Sequence, residues 1–374
     1  MNTSNNRETV VVAMSGGVDS SVAAALLHER GYQVIGVTMN LWDYDSVGGN
    51  INRDSGCCSI DTMDDARSVC HTLGISHYVV NFREQFEATV TDNFISEYMK
   101  GRTPNPCIRC NTYIKWGVLL QKAHELGADK IATGHYARTT FDEHCHRYLL
   151  KRGKDKKKDQ SYALWGINQY ALERTLFPVG EFEKEEIRQI AQNLGLRTAD
   201  KKESQEICFI PDNDYTRYLK MKRPELETEL KDGEILDQEG NLLGTHRGYP
   251  FYTIGQRKGL RIAVGEPIYV TEIDPQNNRI SVGGDHDLRH IGLIAKSLNW
   301  ISIENLEKEM HVEAKIRYND PGATARLIPL SEERVKIMFH EPQRAVTPGQ
   351  SVVFYQDDVV VGGGIIDSYI KQGE

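Results

Sequence analysis

The chain has 374 residues, more than one hydrophobic core ordinarily serves, so two or three domains are expected. Its 39% hydrophobic and 26% charged residues exclude wholesale disorder, and no apolar run approaches the ~20 residues that a bilayer requires, so no membrane partner is expected. A formal charge of −8 argues against general polyanion binding while leaving room for a local basic surface. The opening MNTSNNRETVVVAM carries neither a signal nor a transit pattern, and seven cysteines are few for this length. The expectation is a cytoplasmic protein whose thiols pack, bind metal or react, without a disulfide framework.

In chain order, the β-branched run Val10–Met14, the turn SGGVDSS and the apolar stretch Val22–Leu27 predict strand, glycine-rich turn and helix, with Gly31 as C-cap. A strand over Val34–Met39 follows, then a helix from Asp61, its predicted N-cap, to Gly74. Tyr78–Val80 predicts a third strand. Phe86, Val90 and Phe94 recur at helical spacing up to Gly101, and Ile114–Leu126 and Lys130–Thr133 supply another helix and strand. Strands alternating with helices in this way predict an α/β domain on a doubly wound parallel sheet, placed at residues 1–210. Beyond about residue 210 the chain turns to glycine-rich, turn-rich pieces, read as a small central domain over 211–289. From about 290, Val312, Ala314, Ile316 and Tyr318 alternate with charged residues, and Val335, Ile337 and Phe339 do the same. With a hairpin turn near Asp357–Asp358, these predict a C-terminal antiparallel β-barrel over 290–374.

Two stretches carry chemistry. AMSGGVDSS, residues 13–21, lies between a predicted strand and helix, where successive N–H groups and a helix N-terminus cradle phosphate. Gly16 and Gly17 permit close approach, and Ser15, Ser20 and Ser21 offer hydroxyls. The loop is neither a Walker A motif nor a GxGxxG fingerprint. TPNPCIRCN, residues 103–111, sets Cys107 and Cys110 three apart. Cys110 stands ahead of a predicted helix that carries Lys115, a setting that favours thiolate. With Cys208 the pair also makes three thiolates, the number that holds a [4Fe–4S] cluster with one open iron; a structural zinc site would need a fourth ligand. Cys57 and Cys58 read as packed or solvated thiols, Cys70 and Cys145 as structural ones. KRGKDKKK, residues 151–158, is either a solvated basic loop or a polyanion contact.

The 13–21 loop resembles the PP-loop of ATP pyrophosphatases, which adenylate a carbonyl oxygen and release pyrophosphate. GRTPNPCIRCN, ATGHYAR, KKDQSYALW, SQEICFI, YTIGQRKGL, RY, AVTPGQ and GGGII then follow in order. Together they resemble the tRNA-specific 2-thiouridylase family over nearly the whole chain. The resemblance implies ATP-dependent thiolation of uridine 34 at C2 in tRNA, with Mg²⁺ and a separate sulfur-donor protein such as a cysteine desulfurase or sulfur relay. It implies ATP contacts at Ala13, Met14, Ser15, Gly16, Gly17, Val18, Asp19, Ser20, Met39 and Gly134, with Asp19 near the phosphates and Mg²⁺. Cys110 would be the nucleophile and Cys208 the persulfide carrier, with a disulfide between them as an intermediate or resting state. That route calls for no metal ion on protein ligands, whereas the cluster route uses Cys107, Cys110 and Cys208. Asn105, Pro106 and Cys107 would face the target base. His135, Lys158, Asp159, Gln160, Arg317, Tyr318 and Gln350 would contact tRNA. One departure stands out: many members of the family have aspartate where this chain has Cys107, which leaves the acid/base assignment open.

Overall fold

A computed structural model describes residues 7–43, 47, 60–201, 207–262 and 265–373. They fall into two compact units: Met1–Val90 with Cys107–Asn213 and Asp358–Val360, and Thr91–Pro106 with Asp214–Asp357 and Val361–Glu374. Cys57 and Cys58 lie outside the described residues.

In the first unit the expected strands form as β1 (Thr9–Ala13), β2 (Gln33–Asn40), β3 (Ser76–Asn81) and β4 (Lys130–Ala132). A hairpin not foreseen in the sequence follows as β5 (Ala137–Asp142) and β6 (Arg147–Arg152), and then β7 (Thr175–Leu176). Among the described residues β3, β2, β1, β4 and β7 make a five-stranded sheet in that order, with every pairing parallel. Val10, Val11 and Val12 are fully buried, as a central parallel strand covered on both faces requires. α1 (Val18–Glu29) packs its small residues Ala23 and Ala24 into a core shared with Ile187 and Ala191 of the helix Lys184–Asn193. The C-cap of α1 is Arg30, and Gly31, expected there, follows it with φ +87°. The order also fixes a place for function. From β1 the chain moves through β2 and β3 to one side, and β4 then pairs with β1 on the other. The carboxyl ends of β1 and β4 therefore flank a topological switch point, where ligands bind in open α/β sheets.

Three helical expectations change. Asp61 is not a cap: α2 (Ile60–Leu73) already includes it, in a first turn where a carboxylate suits the helix dipole. The helix through Phe86, Val90 and Phe94 runs as α over Arg83–Phe86, π over Glu87–Thr91 and α over Asp92–Met99. The helix expected from Ile114 begins eight residues sooner, as α over Pro106–Arg109, π over Cys110–Leu119 and α over Leu120–Glu125. Proline is well suited to a first helical position, where its fixed φ helps and its missing N–H costs nothing. Cys107 and Cys110 consequently sit within the helix and not in a loop before it.

The second unit contains β8 (Gly233–Leu236), β9 (Leu242–His246), β10 (Tyr269–Asp274) and β11 (Arg279–Gly283), joined in the order β10, β11, β8, β9. It also contains β12 (Arg289–Trp300), β13 (Met310–Lys315), β14 (Ala323–Ser331), β15 (Arg334–Arg344), β16 (Ser351–Gln356) and β17 (Val359–Ile370). These six run β12, β15, β14, β13, β16, β17, and β12 pairs with β17, so the barrel closes and leaves no open edge. Val312, Ala314, Val335, Ile337 and Phe354 fill it. Tyr318 departs from expectation: β13 stops at Lys315, and Tyr318 is 42% exposed. No helix among the described residues is long and apolar enough to cross a membrane.

Candidate active site

The loop after β1 is held rigidly from within. The Ser15 N–H donates to Ser20 Oγ at 3.2 Å, the Ser15 and Ser20 hydroxyls lie 3.2 Å apart, and Ser20 and Ser21 donate to the Gly17 carbonyl at 3.1 and 2.8 Å. It is also held from both sides. A Cβ on Gly16, which has φ +68°, would stand 2.2 Å from the Thr62 carbonyl oxygen in the first turn of α2. A Cβ on Gly134, just beyond β4, would meet the Asp19 carbonyl carbon and Ser20 nitrogen at 2.6 Å. Both positions have space for glycine alone. Ala13, Met14 and Val18 are buried, so what they offer a ligand is backbone, while Ser15 is exposed and Met39 half-buried.

Charge gathers at this loop from distant parts of the chain. Asp19 Oδ1 accepts from the Tyr136 hydroxyl at 2.7 Å, and both Asp19 oxygens accept from Lys184 Nζ, at 2.7 and 2.9 Å. Lys201 Nζ donates to the Gly16 carbonyl at 3.0 Å and to Asp65 at 2.7 Å, and Asp65 also pairs with Arg197 at 3.1 Å. Sequence reading missed Tyr136, Lys184, Lys201 and Asp65. Lys184 lies in the charged run EFEKEE, and the fold buries it.

Cys107 is exposed and Cys110 half-buried; three apart on one helix, they share a face. Arg109, between them, donates from Nε to the Thr89 carbonyl at 2.8 Å and lies 4.7 Å over the Tyr113 ring. Cys208 is half-buried, and the chain beyond it is anchored by buried Ile210 and by Phe209, edge-on to Phe86 at 5.7 Å. Lys115 Nζ lies 3.3 Å from His135 Nε2, and His135 Nδ1 lies 2.6 Å from Thr133 Oγ1. An ammonium only donates, so Nε2 accepts and Nδ1 carries the ring proton. Burial and then the Lys115 charge hold the His135 pKa well below 6.5, which makes it a neutral imidazole at pH 7. Among the described residues no three His, Cys, Asp or Glu side chains come together as ligands of a metal ion. Cys70 is buried, and desolvation pushes its thiol up to about 11. Cys145 is exposed in the β5–β6 turn, where its N–H donates to Asp142 at 3.3 Å.

Several residues expected at an RNA surface are occupied with the protein's own loops. Asp159 accepts from the Gly153 and Ser161 N–H groups, both at 3.1 Å, and from the Ser161 hydroxyl at 2.9 Å. Gln160 accepts from the Tyr136 N–H at 3.0 Å. The Lys158 N–H donates to Asp155, and Lys154 pairs with Glu186 at 3.1 Å. KRGKDKKK is thus the end of β6 and a shaped turn beyond it. In the second unit Gln350 donates to the Thr103 and Pro104 carbonyls at 3.0 and 3.1 Å, immediately before half-buried Asn105 and buried Pro106. Arg317 donates to the carbonyls of Arg344 and Ala345.

Compared with known proteins, the chain is 51% identical over 361 residues to a tRNA-specific 2-thiouridylase of Clostridium botulinum strain Hall, covering 96% of this chain and 99% of that one. The chain belongs to the tRNA-specific 2-thiouridylase family. It is 52% identical to the Salinibacter ruber member, covering 96% and 94%, and 53% identical to one from Caldanaerobacter subterraneus subsp. tengcongensis, covering 98% and 99%. Three family models also match: a tRNA methyl transferase HUP domain over residues 8–212, a tRNA methyl transferase PRC-barrel domain over 225–284 and an aminomethyltransferase beta-barrel domain over 290–366. Those descriptions speak of methyl transfer, whereas the full-length 2-thiouridylase relatives speak of thiolation. A glycine-rich loop at the switch point of the sheet and two half-buried thiols in the same unit suit the second chemistry.

Proposed function

We infer that this protein is a tRNA-uridine 2-sulfurtransferase that uses ATP to replace the C2 oxygen of the wobble uridine, position 34, with sulfur. The observation that carries this reading is the joining of a glycine-rich strand–helix loop at the switch point of the sheet with Cys110 and Cys208 in the same compact unit. In the first step O2 of the uridine attacks the α-phosphorus, the bond to the β-phosphate bridging oxygen breaks, and pyrophosphate leaves with the electron pair while the N3 proton passes to water. A persulfide on Cys208 then attacks C2 and expels AMP. The Cys110 thiolate attacks Cys208 Sγ and breaks the sulfur–sulfur bond, and 2-thiouridine departs as a Cys110–Cys208 disulfide forms. A thiol reductant restores the two cysteines, and a sulfur-donor protein reloads Cys208.

The loop Ala13–Ser20 carries the phosphates, with Met39 and Gly134 beside the adenosine. Asp19 would be the carboxylate that holds Mg²⁺, which would neutralise the triphosphate; one protein carboxylate suffices where phosphates supply other ligands. The persulfide route calls for no metal ion on protein ligands, whereas on the cluster route Cys107, Cys110 and Cys208 would hold a [4Fe–4S] cluster with one open iron. Cys107, a thiol at the aspartate position, is a poorer proton acceptor than a carboxylate at pH 7. The catalytic domain is read as 1–210, the central domain, which also binds tRNA, as 211–289 and the barrel as 290–374. Asn105, Pro106 and Cys107 meet the target base, and His135, Lys158, Asp159, Gln160, Arg317, Tyr318 and Gln350 line the tRNA path in a cytoplasmic enzyme. Several of these act by shaping the loops they hydrogen-bond.

The test is incubation with ATP, Mg²⁺, a persulfide source and unmodified tRNA, followed by mass spectrometry of the digested nucleosides. The expected product is 2-thiouridine at position 34 with release of AMP and pyrophosphate. ATP cleavage with no thiolated uridine would assign the loop to another substrate.

A further inference from the structure

The stretch from Ala13 to Ser21 contains no lysine or arginine, although a triphosphate brings about four negative charges to it. The cation must come from elsewhere in the fold. Among the described residues, the ammonium groups of Lys184 and Lys201 reach the loop. Lys201 binds the Gly16 carbonyl and shares Asp65 with Arg197, so it belongs to the loop's backing. Lys184 is different, for its partner is the side chain of Asp19, in the first turn of the helix that opens on the phosphate cradle.

Lys184 is 7% exposed and Asp19 is 28% exposed. Withdrawing an ammonium that far from water is costly unless a partner remains throughout. The anchorage of Lys184 leaves its side chain as the mobile part. Its backbone N–H donates to Asp155 at 3.1 Å, and it is the first residue of a helix fixed by a Glu183–Glu186 capping box. Its ammonium lies 5.6 Å from the centre of the Tyr136 ring, and the Tyr136 hydroxyl binds the same Asp19 oxygen. A pivot of the side chain would keep the cation against that ring.

We propose that Lys184 is a catalytic residue of the adenylation step, stored on Asp19 in the nucleotide-free protein and passed to the β- and γ-phosphates when nucleotide binds. The exchange leaves the Asp19 carboxylate to the divalent cation that accompanies the nucleotide. One ion pair becomes two, and neither charge is left buried and alone. As the bond from the α-phosphorus to the bridging oxygen breaks, the electron pair leaves on pyrophosphate, and Lys184 offsets the charge that develops there. No proton need leave the ammonium. The proposal rests on the reading of this loop as an ATP site.

The test uses the full-length protein and binding alone. Pyrophosphate and adenosine affinities are measured by calorimetry in EDTA, so that no divalent cation contributes, for the wild type, Lys184→Met and Asp19→Asn. Lys184→Met is expected to lose pyrophosphate affinity by about tenfold or more, as removal of a charge-assisted contact should. Adenosine affinity stays unchanged, which shows that the fold is intact. Asp19→Asn is expected to gain pyrophosphate affinity, because the ammonium is released from its store. Opposite signs in the two variants are the signature; a purely structural pair would weaken binding in both or change neither, and either result overturns the proposal. Should Lys184→Met fail to fold, the Asp19→Asn/Lys184→Met double variant buries no unpaired charge, and wild-type pyrophosphate affinity in it would equally overturn the proposal. If the wild type binds neither ATP nor adenosine, the ATP reading itself falls, an outcome distinct from the others.

Discussion

The phosphate-loop end of the first unit and the barrel of the second use charge in opposite ways. At the loop, Lys184 and Asp65 are nearly buried, and their partners come from far along the chain. In the barrel the interior is aliphatic and aromatic, and charge is kept outside it, as in the cluster that Arg102, Lys296 and Arg334 make around Asp367. An apolar barrel gains stability simply by excluding water. Burying ion pairs gains little, since desolvation cancels most of the attraction.

Substitutions can break that contrast, and the largest effects belong to the thiols. Cys110→Ala and Cys208→Ala should each lower the thiolation rate by at least about 10³-fold without changing the melting temperature, since both act on bond making and not on packing. Cys107→Ala should retain most activity on the persulfide route; loss equal to that of Cys110→Ala, with iron and sulfide present after anaerobic purification, would favour the cluster route. Phe354→Ala should show the reverse pattern. Its side chain is fully buried in the barrel core, so denaturant unfolding should register a loss of about 3–5 kcal/mol. Gly16→Ala falls between the two, combining a left-handed backbone with a Cβ driven into Thr62. The strain alone costs about 1–3 kcal/mol, and ATP affinity should drop more steeply than melting temperature.

Asp367→Asn should cost about 1 kcal/mol at pH 7 and reveal the sign of the linkage. Burial pushes the Asp367 carboxyl up, but Lys296, Arg102 and Arg334 outweigh it and hold the pKa below the usual 3.8. The folded state therefore gains from the ionised form at every pH above the unfolded value. The difference between wild type and variant should be flat from about pH 5 upward and shrink as pH falls through the folded pKa. A difference that grows on acidification would contradict the cluster. Smallest of all, Arg326→Ala removes an exposed pair with Glu309 and should leave the melting temperature unchanged.

Much of this was legible beforehand, for reasons that differ along the chain. β1, α1 and the barrel strand through Val335, Ile337 and Phe339 follow from hydrophobic period and turn chemistry, which are local properties. The hairpin over β5 and β6 was missed because ARTTFD and RYLLKR mix polar and apolar residues without strict alternation. The π-wound stretch Cys110–Leu119 was missed for another reason: its local sequence is compatible with an ordinary α-helix, and no residue announces the wider turn.

By itself the sequence determined the parallel-sheet and barrel classes, the glycine-rich turn after the first strand and the family that the motifs imply. Period, glycine content and thiol chemistry act over a few residues and can be read there. Only the tertiary structure decided that Lys184 meets Asp19, that Lys201 meets Gly16, that Lys115 rests on a neutral His135 and that Cys145 faces solvent. Those pairings join segments up to 185 residues apart. They depend on which side of the sheet each crossover takes and on how much water is left beside each charge, and no local pattern of side chains encodes either.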